Sequence, residues 1–349
     1  MRRKNIIFVL MVLVIGMFFL FACNFTPDMM VNKDGTGLYE ETNLPNDEIE
    51  KEIIENKVTT GTILAAGDIM FHMPQVKAAY DTNTKTYDFM DNFKYVKKYI
   101  QSADLSIANF ETVVGGNEIG FFGFPNFNSP EETLLAIRDV GFEILTTANN
   151  HCLDQGKKGL IKTIDAIEAY GMKNIGTYKE PNTPILVEEI NEIKLGLLSY
   201  TYGFNGMEYT LTEEERGYMV SKIDEDRIKT DIENAKALEV DVVVVFIHWG
   251  NEYKKEPSEE QIQLGRNMVE WGANIIFGSH PHVIQKTEII NHKGKDNFII
   301  YSMGNFLSNQ REEIMNNKYT EDGIMVEIQL EKDFSRDETI IKDIKYIPT

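Results

Sequence analysis

The segment VDVVVVFIHWG, residues 240–250, is β-branched or aromatic at almost every position, so a strand built from it has no face to offer water. It belongs inside a sheet that is covered on both sides. Helices to cover it are written nearby: PEETLLAIRDVG (130–141), GKKGLIKTIDAIEAYG (156–171) and EEQIQLGRNMVEWG (259–272) repeat apolar residues at helical spacing, and FMDNFKYVKKYIQ (89–101) reads the same way. These alternate with apolar runs of strand length: TGTILAAGDIM (60–70), ADLSIANFE (103–111), FEILTTANNH (142–151) and ANIIFGSHPHV (273–283). Segments 184–201 and 283–306 read as hairpins, and GIMVEIQL (323–330) as a further strand. The predicted class is α/β, with a mixed sheet or two facing sheets.

The strands share the way they finish. Asp68 and His72, Asn109 and Glu111, Asn150 and His151, His248, and His280 with His282 all follow predicted strand ends. Loops beyond the carboxyl ends of strands are where open α/β sheets bind ligands. A single such residue is more often a turn or core group, but a recurring set of carboxylates, imidazoles and an amide oxygen suits zinc, manganese or iron. Imidazoles one residue apart, as in His280-Pro281-His282, can point to two different metals. On this reading Asn150 offers its amide oxygen to metal and His151 faces substrate.

The first residues read differently. Met1-Arg2-Arg3-Lys4 is basic, Ile6 to Phe21 is nearly unbroken apolar sequence, and the run closes on LFAC at Cys23. It is short for a membrane-spanning helix and fits an export signal of lipoprotein type, residues 1–22, with Cys23 acylated. Residues 23–58 are acidic and poor in aromatics, as a solvated tether would be, with a short helix at Glu48–Lys57. Cys152 is the one other cysteine, so no disulfide is expected, and Cys152 reads as a small buried hydrophobe. The formal net charge is −20, deepened by loss of Arg2, Arg3 and Lys4, which argues against nucleic acid as a partner.

GDIMFH, ANFE, ANNHCLDQG, HWGNEY, GSHPHVI and YSMGNF, in this order from Gly67 to Phe306, resemble the CapA-type poly-γ-glutamate capsule synthesis proteins. That family is similar to the calcineurin-like metallophosphoesterases. The resemblance implies a four-layer α/β/β/α sandwich over residues 59–349; the family usually runs on for some residues past IKYIPT, which leaves open whether the C-terminus is complete. It also implies one or two divalent ions, manganese, zinc or iron. One position would have Glu111, Asn150, His248 and His280, and the other Asp68, Glu111 and His282, with Glu111 bridging. Met70 stands where that pattern has a histidine, and His72 is the candidate substitute. Asn109 could bind metal or support a ligand, and Glu252 could support His248. His151 is the implied proton donor; Cys152 stands where an acid usually follows it, and Asp154 is the nearest replacement.

The function so implied is a lipid-anchored hydrolase at the outer face of the cell membrane, cutting a phosphoester or γ-glutamyl amide in poly-γ-glutamate production. The alternative is a non-catalytic partner of a membrane polymerase whose cleft holds the anionic polymer. Two motifs stay open at this level. Gly115–Pro130, glycine-rich and aromatic, lacks the lysine and helix of a phosphate loop and reads as a flap over the cleft or an ordinary surface loop. Ser302 and Asn305 line the cleft or close a turn.

Overall fold

The computed structural model describes residues 57–349. The expected signal peptide, Cys23, and the tether with its short helix up to residue 56 lie outside them. In chain order the strands are β1 (Val58–Ile69), β2 (Tyr80–Asp81), β3 (Thr86–Tyr87), β4 (Leu105–Phe110), β5 (Ile144–Thr146), β6 (Lys173–Ile175), β7 (Leu186–Ile190), β8 (Ile193–Thr201), β9 (Val242–His248), β10 (Ile275–Ser279), β11 (Thr287–His292), β12 (Lys295–Ile300), β13 (Asn305–Leu307), β14 (Ile324–Asp333) and β15 (Glu338–Pro348). The first strand begins at Val58, one residue ahead of the expected boundary.

Two sheets carry the fold. One has the order β15-β14-β1-β4-β5-β6, with β13 also paired to β1; the other has the order β11-β12-β10-β9-β8-β7. In the first, β1, β4, β5 and β6 are parallel, β14 is antiparallel to β1, and the edge strand β15 is antiparallel to β14. In the second, β8, β9, β10 and β12 are parallel and the edge strands β7 and β11 are antiparallel. Parallel neighbours need long crossovers, and helices supply these except between β10 and β12, where the chain passes through the edge strand β11.

The two-residue period of β9 shows why four layers form. Val242, Val244 and Phe246 face the other sheet and join Ile63, Ala65, Ile107 and Phe277 in the central core. Val243, Val245 and Ile247 point the opposite way, beneath helices Glu225–Ala237 and Glu259–Trp271. On the first sheet Leu64, Ala66 and Leu145 likewise turn outward beneath helices Glu132–Val140 and Gly156–Ala169. Each such buried aliphatic or aromatic side chain stabilises by roughly 1.5–3 kcal/mol, so covering both faces of both sheets is the dominant favourable contribution. The result is an α/β/β/α sandwich.

Segment 89–101 departs from the single helix its spacing predicts. Phe89, Phe93 and Ile100 are buried as expected, but the chain forms a 3-10 turn at Met90–Phe93 and a short helix at Lys97–Ile100. Strand β15 and helices Glu213–Tyr218 and Glu225–Ala237 were not legible in the pattern.

Candidate metal centre

The site lies where the carboxyl ends of parallel strands from both sheets meet. Pairing between β1 and β4 shifts between Ala66 and Asp68, and the intervening Gly67 passes so close to β13 that a Cβ there would lie 2.1 Å from the Gly304 carbonyl oxygen. Such an irregularity re-aims the next side chain. Asp68 is thereby buried beside Asn109, whose Nδ2 donates to Asp68 Oδ1 at 2.8 Å. Asn109 Oδ1 accepts from Thr146 Oγ1 at 3.2 Å and Asn149 Nδ2 at 3.4 Å, which fixes which way the amide points. Asn109 therefore positions the aspartate, and Glu111 follows one residue beyond the end of β4.

The second sheet brings the imidazoles. His248 ends β9; its Nδ1 is 2.9 Å from Ser279 Oγ and 3.3 Å from Asn109 Nδ2, while Nε2 is 2.7 Å from Asn150 Oδ1 and 3.5 Å from Glu111 Oε1. His280 and His282 follow β10 with φ of 97° and 56°. Left-handed backbone at a residue with a Cβ costs on the order of 1–3 kcal/mol and persists where surrounding structure enforces it. Here it turns both rings into the cleft, with centroids 5.9 Å apart. His282 faces two carboxylates at once: Nδ1 is 3.0 Å from Asp68 Oδ2, and Nε2 is 3.8 Å from Glu111 Oε1.

Burial and mutual repulsion set the charges. Burial, reinforced by the neighbouring Asp68 carboxylate, pushes Glu111 well above the usual carboxylate range. Burial also drives His248 down to about 3 and His280 well below an ordinary histidine. For His282 burial acts downward too, but Glu111 and Asp68 outweigh it and hold the ring up at about 9. Burial would raise Asp68, yet the hydrogen bond and charge of His282 bring it below its ordinary value.

These residues fit a divalent ion. Both oxygens of Glu111 and Nδ1 of His280 are buried with no hydrogen-bond partner, an arrangement that costs several kcal/mol unless a cation satisfies it. Among the described residues two groups of ligand atoms converge, Glu111 with His280 and His282, and Asp68 with Glu111 and His248, each within 4.8 Å. Glu111 is common to both. The histidines are shared out differently from the expectation: His280 and His282, predicted to face different ions, fall in one group, and His248 joins Asp68. Asn150 adds its amide oxygen against His248 Nε2, and its Nδ2 donates to Asn205 Oδ1 at 3.2 Å.

The remaining candidates divide. His151 Nδ1 lies 2.7 Å from Asp154 Oδ2, and the same oxygen accepts from Phe127 N at 2.7 Å, so the acid three residues on takes the place of the one missing at Cys152. His72 belongs to neither convergent group; its Nδ1 accepts from Asn309 N at 3.2 Å. Met70 is buried and offers no such atom. Glu252 is exposed and makes no hydrogen bond to His248; Ser279 and Asn109 have that place. Asn305 does reach the cleft, with Oδ1 3.1 Å from His282 Nδ1, while Ser302 Oγ accepts from Gly304 N and closes a turn. Cys152 is buried among Leu153, Leu160 and Phe204, and burial pushes its thiol up. Sequence reasoning missed Asn149, Ser279 and Tyr202, whose ring centroid is 4.5 Å from that of His280. Asn149 and Ser279 each stand beside a candidate ligand, which is the signal that could have found them.

A four-layer sandwich with buried acids and imidazoles at its strand ends is metallophosphoesterase-like. A phosphatase from Mycoplasma pneumoniae superposes over 84% of this chain and 94% of its own, with a TM-score of 0.50 at 13% identity, a likeness of fold. A calcineurin-like phosphoesterase from Bacillus subtilis gives a TM-score of 0.46 at 14% identity, covering 84% of this chain and 91% of its own. The pattern of the bacterial capsule synthesis protein PGA_cap family matches residues 62–310, and the chain belongs to that family. A capsule biosynthesis protein CapA of Bacillus anthracis is 32% identical over 268 residues, 73% of this chain and 61% of that protein. The PGA biosynthesis protein CapA of Bacillus subtilis is 29% identical over 229 residues, 62% of this chain and 57% of that protein. The chain thus spans about three fifths of the length of these curated relatives.

Proposed function

We propose that this chain is a cell-surface lipoprotein of poly-γ-glutamate capsule production whose cleft is a metal-dependent hydrolase of phosphoester or γ-glutamyl amide bonds. The observation that carries the reading is Glu111, buried with both oxygens unpartnered between His248 and His282, beside the His151–Asp154 pair. Asp68, Glu111, Asn150, His248, His280 and His282 would hold one or two ions, and their mixed oxygen and imidazole donors suit manganese, zinc or iron. An ion held there would supply a Lewis acid and a water that ionises near neutral pH. Asn109 and Ser279 keep Asp68 and His248 turned into the cleft. Asp154 accepts the Nδ1 proton of His151, which leaves Nε2 as the atom that gives a proton to a departing group.

The test is hydrolysis by metal-loaded protein of bis(p-nitrophenyl) phosphate, p-nitrophenyl phosphate and γ-glutamyl-p-nitroanilide. Activity lost on chelation and restored by manganese or zinc supports the reading; no turnover on any of them sinks it.

A second reading has its own observation. Met70 occupies a ligand position of the wider superfamily and His72 does not replace it, which favours an inherited cleft that holds anionic polymer for a membrane polymerase without cutting it. Cells producing only the His151→Ala protein decide between the two: normal polymer output supports the binding role. Anchoring through Cys23 is tested apart, since Cys23→Ser should release the protein from the membrane fraction or leave it unprocessed. Among the described residues no helix is long and apolar enough to cross a membrane.

A further inference from the structure

Segment Gly115–Pro130 folds against His151, Asp154 and His72 and is fastened at its base. Phe122 and Asn128 exchange backbone hydrogen bonds of 3.0 and 2.9 Å. Asn128 Oδ1 accepts from Gly115 N at 2.6 Å, and its Nδ2 donates to Gly116 O and Gly120 O at 3.0 and 2.5 Å. Gln155 Nε2 donates to Asn126 O and Phe127 O at 3.3 and 3.0 Å, and Phe127 N is held by Asp154, the residue that holds His151. Beyond this base the loop carries its apolar side chains outward: Phe122 is 46% exposed and Phe124 71%.

Those rings wall a cavity of about 520 Å³ with Met73, Phe121 and Pro125, and Asp154 and Gln155 also line it. That volume suits a small-molecule subsite. The cavity adjoins the proton donor: the Phe124 and Phe127 ring centroids are 6.5 and 4.8 Å from that of His151. Its lining includes no lysine or arginine, and its one ionisable member is the acid Asp154. A group entering from the His151 side passes Asp154, Asn126 and Gln155 and then meets the carbon of Met73, Pro125 and three phenylalanine rings, with no cation in the lining.

We propose that this cavity is the leaving-group subsite and that it takes an uncharged apolar group, the alkyl or aryl alcohol of a phosphate ester, rather than a glutamate carboxylate. The inference rests on the hydrolase reading above and names its substrate class. In the reaction, the hydroxyl of water bonds to phosphorus and the bond from phosphorus to the alcohol oxygen breaks. His151 Nε2 gives a proton to that oxygen, and the proton that water loses to solvent balances the one His151 recovers. The freed alcohol leaves by the aromatic cavity.

Two measurements on the full-chain, manganese-loaded protein separate this inference from the reading beneath it. The first is release of inorganic phosphate from methyl phosphate and hexyl phosphate, whose leaving oxygens are chemically alike. KM for the hexyl ester should be lower by about tenfold or more, because added methylenes are buried. Phe124→Ala and Phe122→Ala, both at exposed positions, should bring the hexyl value up to the methyl value. The second is calorimetric binding of methylphosphonate, hexylphosphonate and 5-carboxypentylphosphonate, which needs no turnover. Preference for the hexyl compound over both others, lost in the two variants, supports the subsite. Equal affinities, a preference that survives both substitutions, or equally tight binding of the carboxylated compound overturns it. Absence of turnover with the binding preference intact counts against the hydrolase reading and leaves the apolar subsite standing.

Discussion

Oδ2 of Asp68 stands 3.0 Å from Nδ1 of His282, a residue 214 positions later that follows a strand of the other sheet. The contact ties the carboxyl ends of the two sheets together and brackets Glu111 on one side, while His248 brackets it on the other. The cleft is therefore assembled across the central core, and its occupancy and the packing of the sheets are coupled.

Glu111→Gln separates the two sides of that coupling. A buried carboxylate with no donors destabilises the metal-free fold, so replacing it with a neutral amide should leave the melting temperature of chelated protein unchanged or higher. The variant should lose most of the rise that metal confers, a contribution of about 2.7 kcal/mol at a metal concentration a hundred times Kd. Melting curves with and without manganese or zinc check this, and an undiminished metal-dependent rise would remove Glu111 from the ligand set.

His151→Ala should behave in the opposite way. Its ring is held by Asp154 and stands outside the convergent ligand groups, so metal content and the metal-dependent rise should persist. Turnover on phosphate esters should fall by about 10²–10⁴ if His151 delivers a proton. Asp154→Asn should lower turnover in the same direction. Loss of metal equal to that in Glu111→Gln would make His151 a ligand.

Gly67→Ala tests how the backbone aims Asp68. The added Cβ would meet a carbonyl oxygen of the adjacent β13 turn at 2.1 Å, an atom with no rotamer to yield, so β1 and β13 must separate locally. Both stability in urea and metal affinity should drop, and a variant with wild-type values for both would show that this approach is not required.

His72 supplies a pH dependence with a defined sign. Burial, then the nearby His282, holds it down at about 4 in the folded chain. An unfolded chain takes up the proton near 6.5, so stability from this residue is full above that pH and declines as pH falls towards 4. The total is on the order of 1–3 kcal/mol for the metal-free protein. His248 and His280 push the same way, so the test is a difference: His72→Asn should flatten the slope of unfolding free energy between pH 6.5 and 4.5 by about one proton. An unchanged slope would mean that His72 is protonated in the native state.

The residues that the structure brings together at the strand ends were legible in the sequence. Asp68, Asn109, Glu111, Asn150, His151, His248, His280 and His282 were picked out because each follows an apolar run of strand length, and the alternating strands and helices implied that such ends share one edge. Asp154, named as the nearest acid to His151 through the family resemblance, does lie against it, with Oδ2 2.7 Å from His151 Nδ1. Glu252 misled because adjacency in HWGNEY is local, whereas the partners of His248 arrive from β4 and from the end of β10. The long helix expected at 89–101 failed because burying Phe89, Phe93 and Ile100 needs only short turns.

What the linear chain determined on its own is the α/β class and which polar residues follow strand ends, because both follow from local periodicity: two-residue alternation for strands, helical spacing for their covers, and polar groups where a strand stops. Which histidine stands with which carboxylate was decided only in three dimensions. It depends on the left-handed turns at His280 and His282, on the Gly67 irregularity that swings Asp68, and on two sheets packing face to face so that residues more than two hundred positions apart touch. Those are consequences of long-range packing, and no spacing along the chain encodes them.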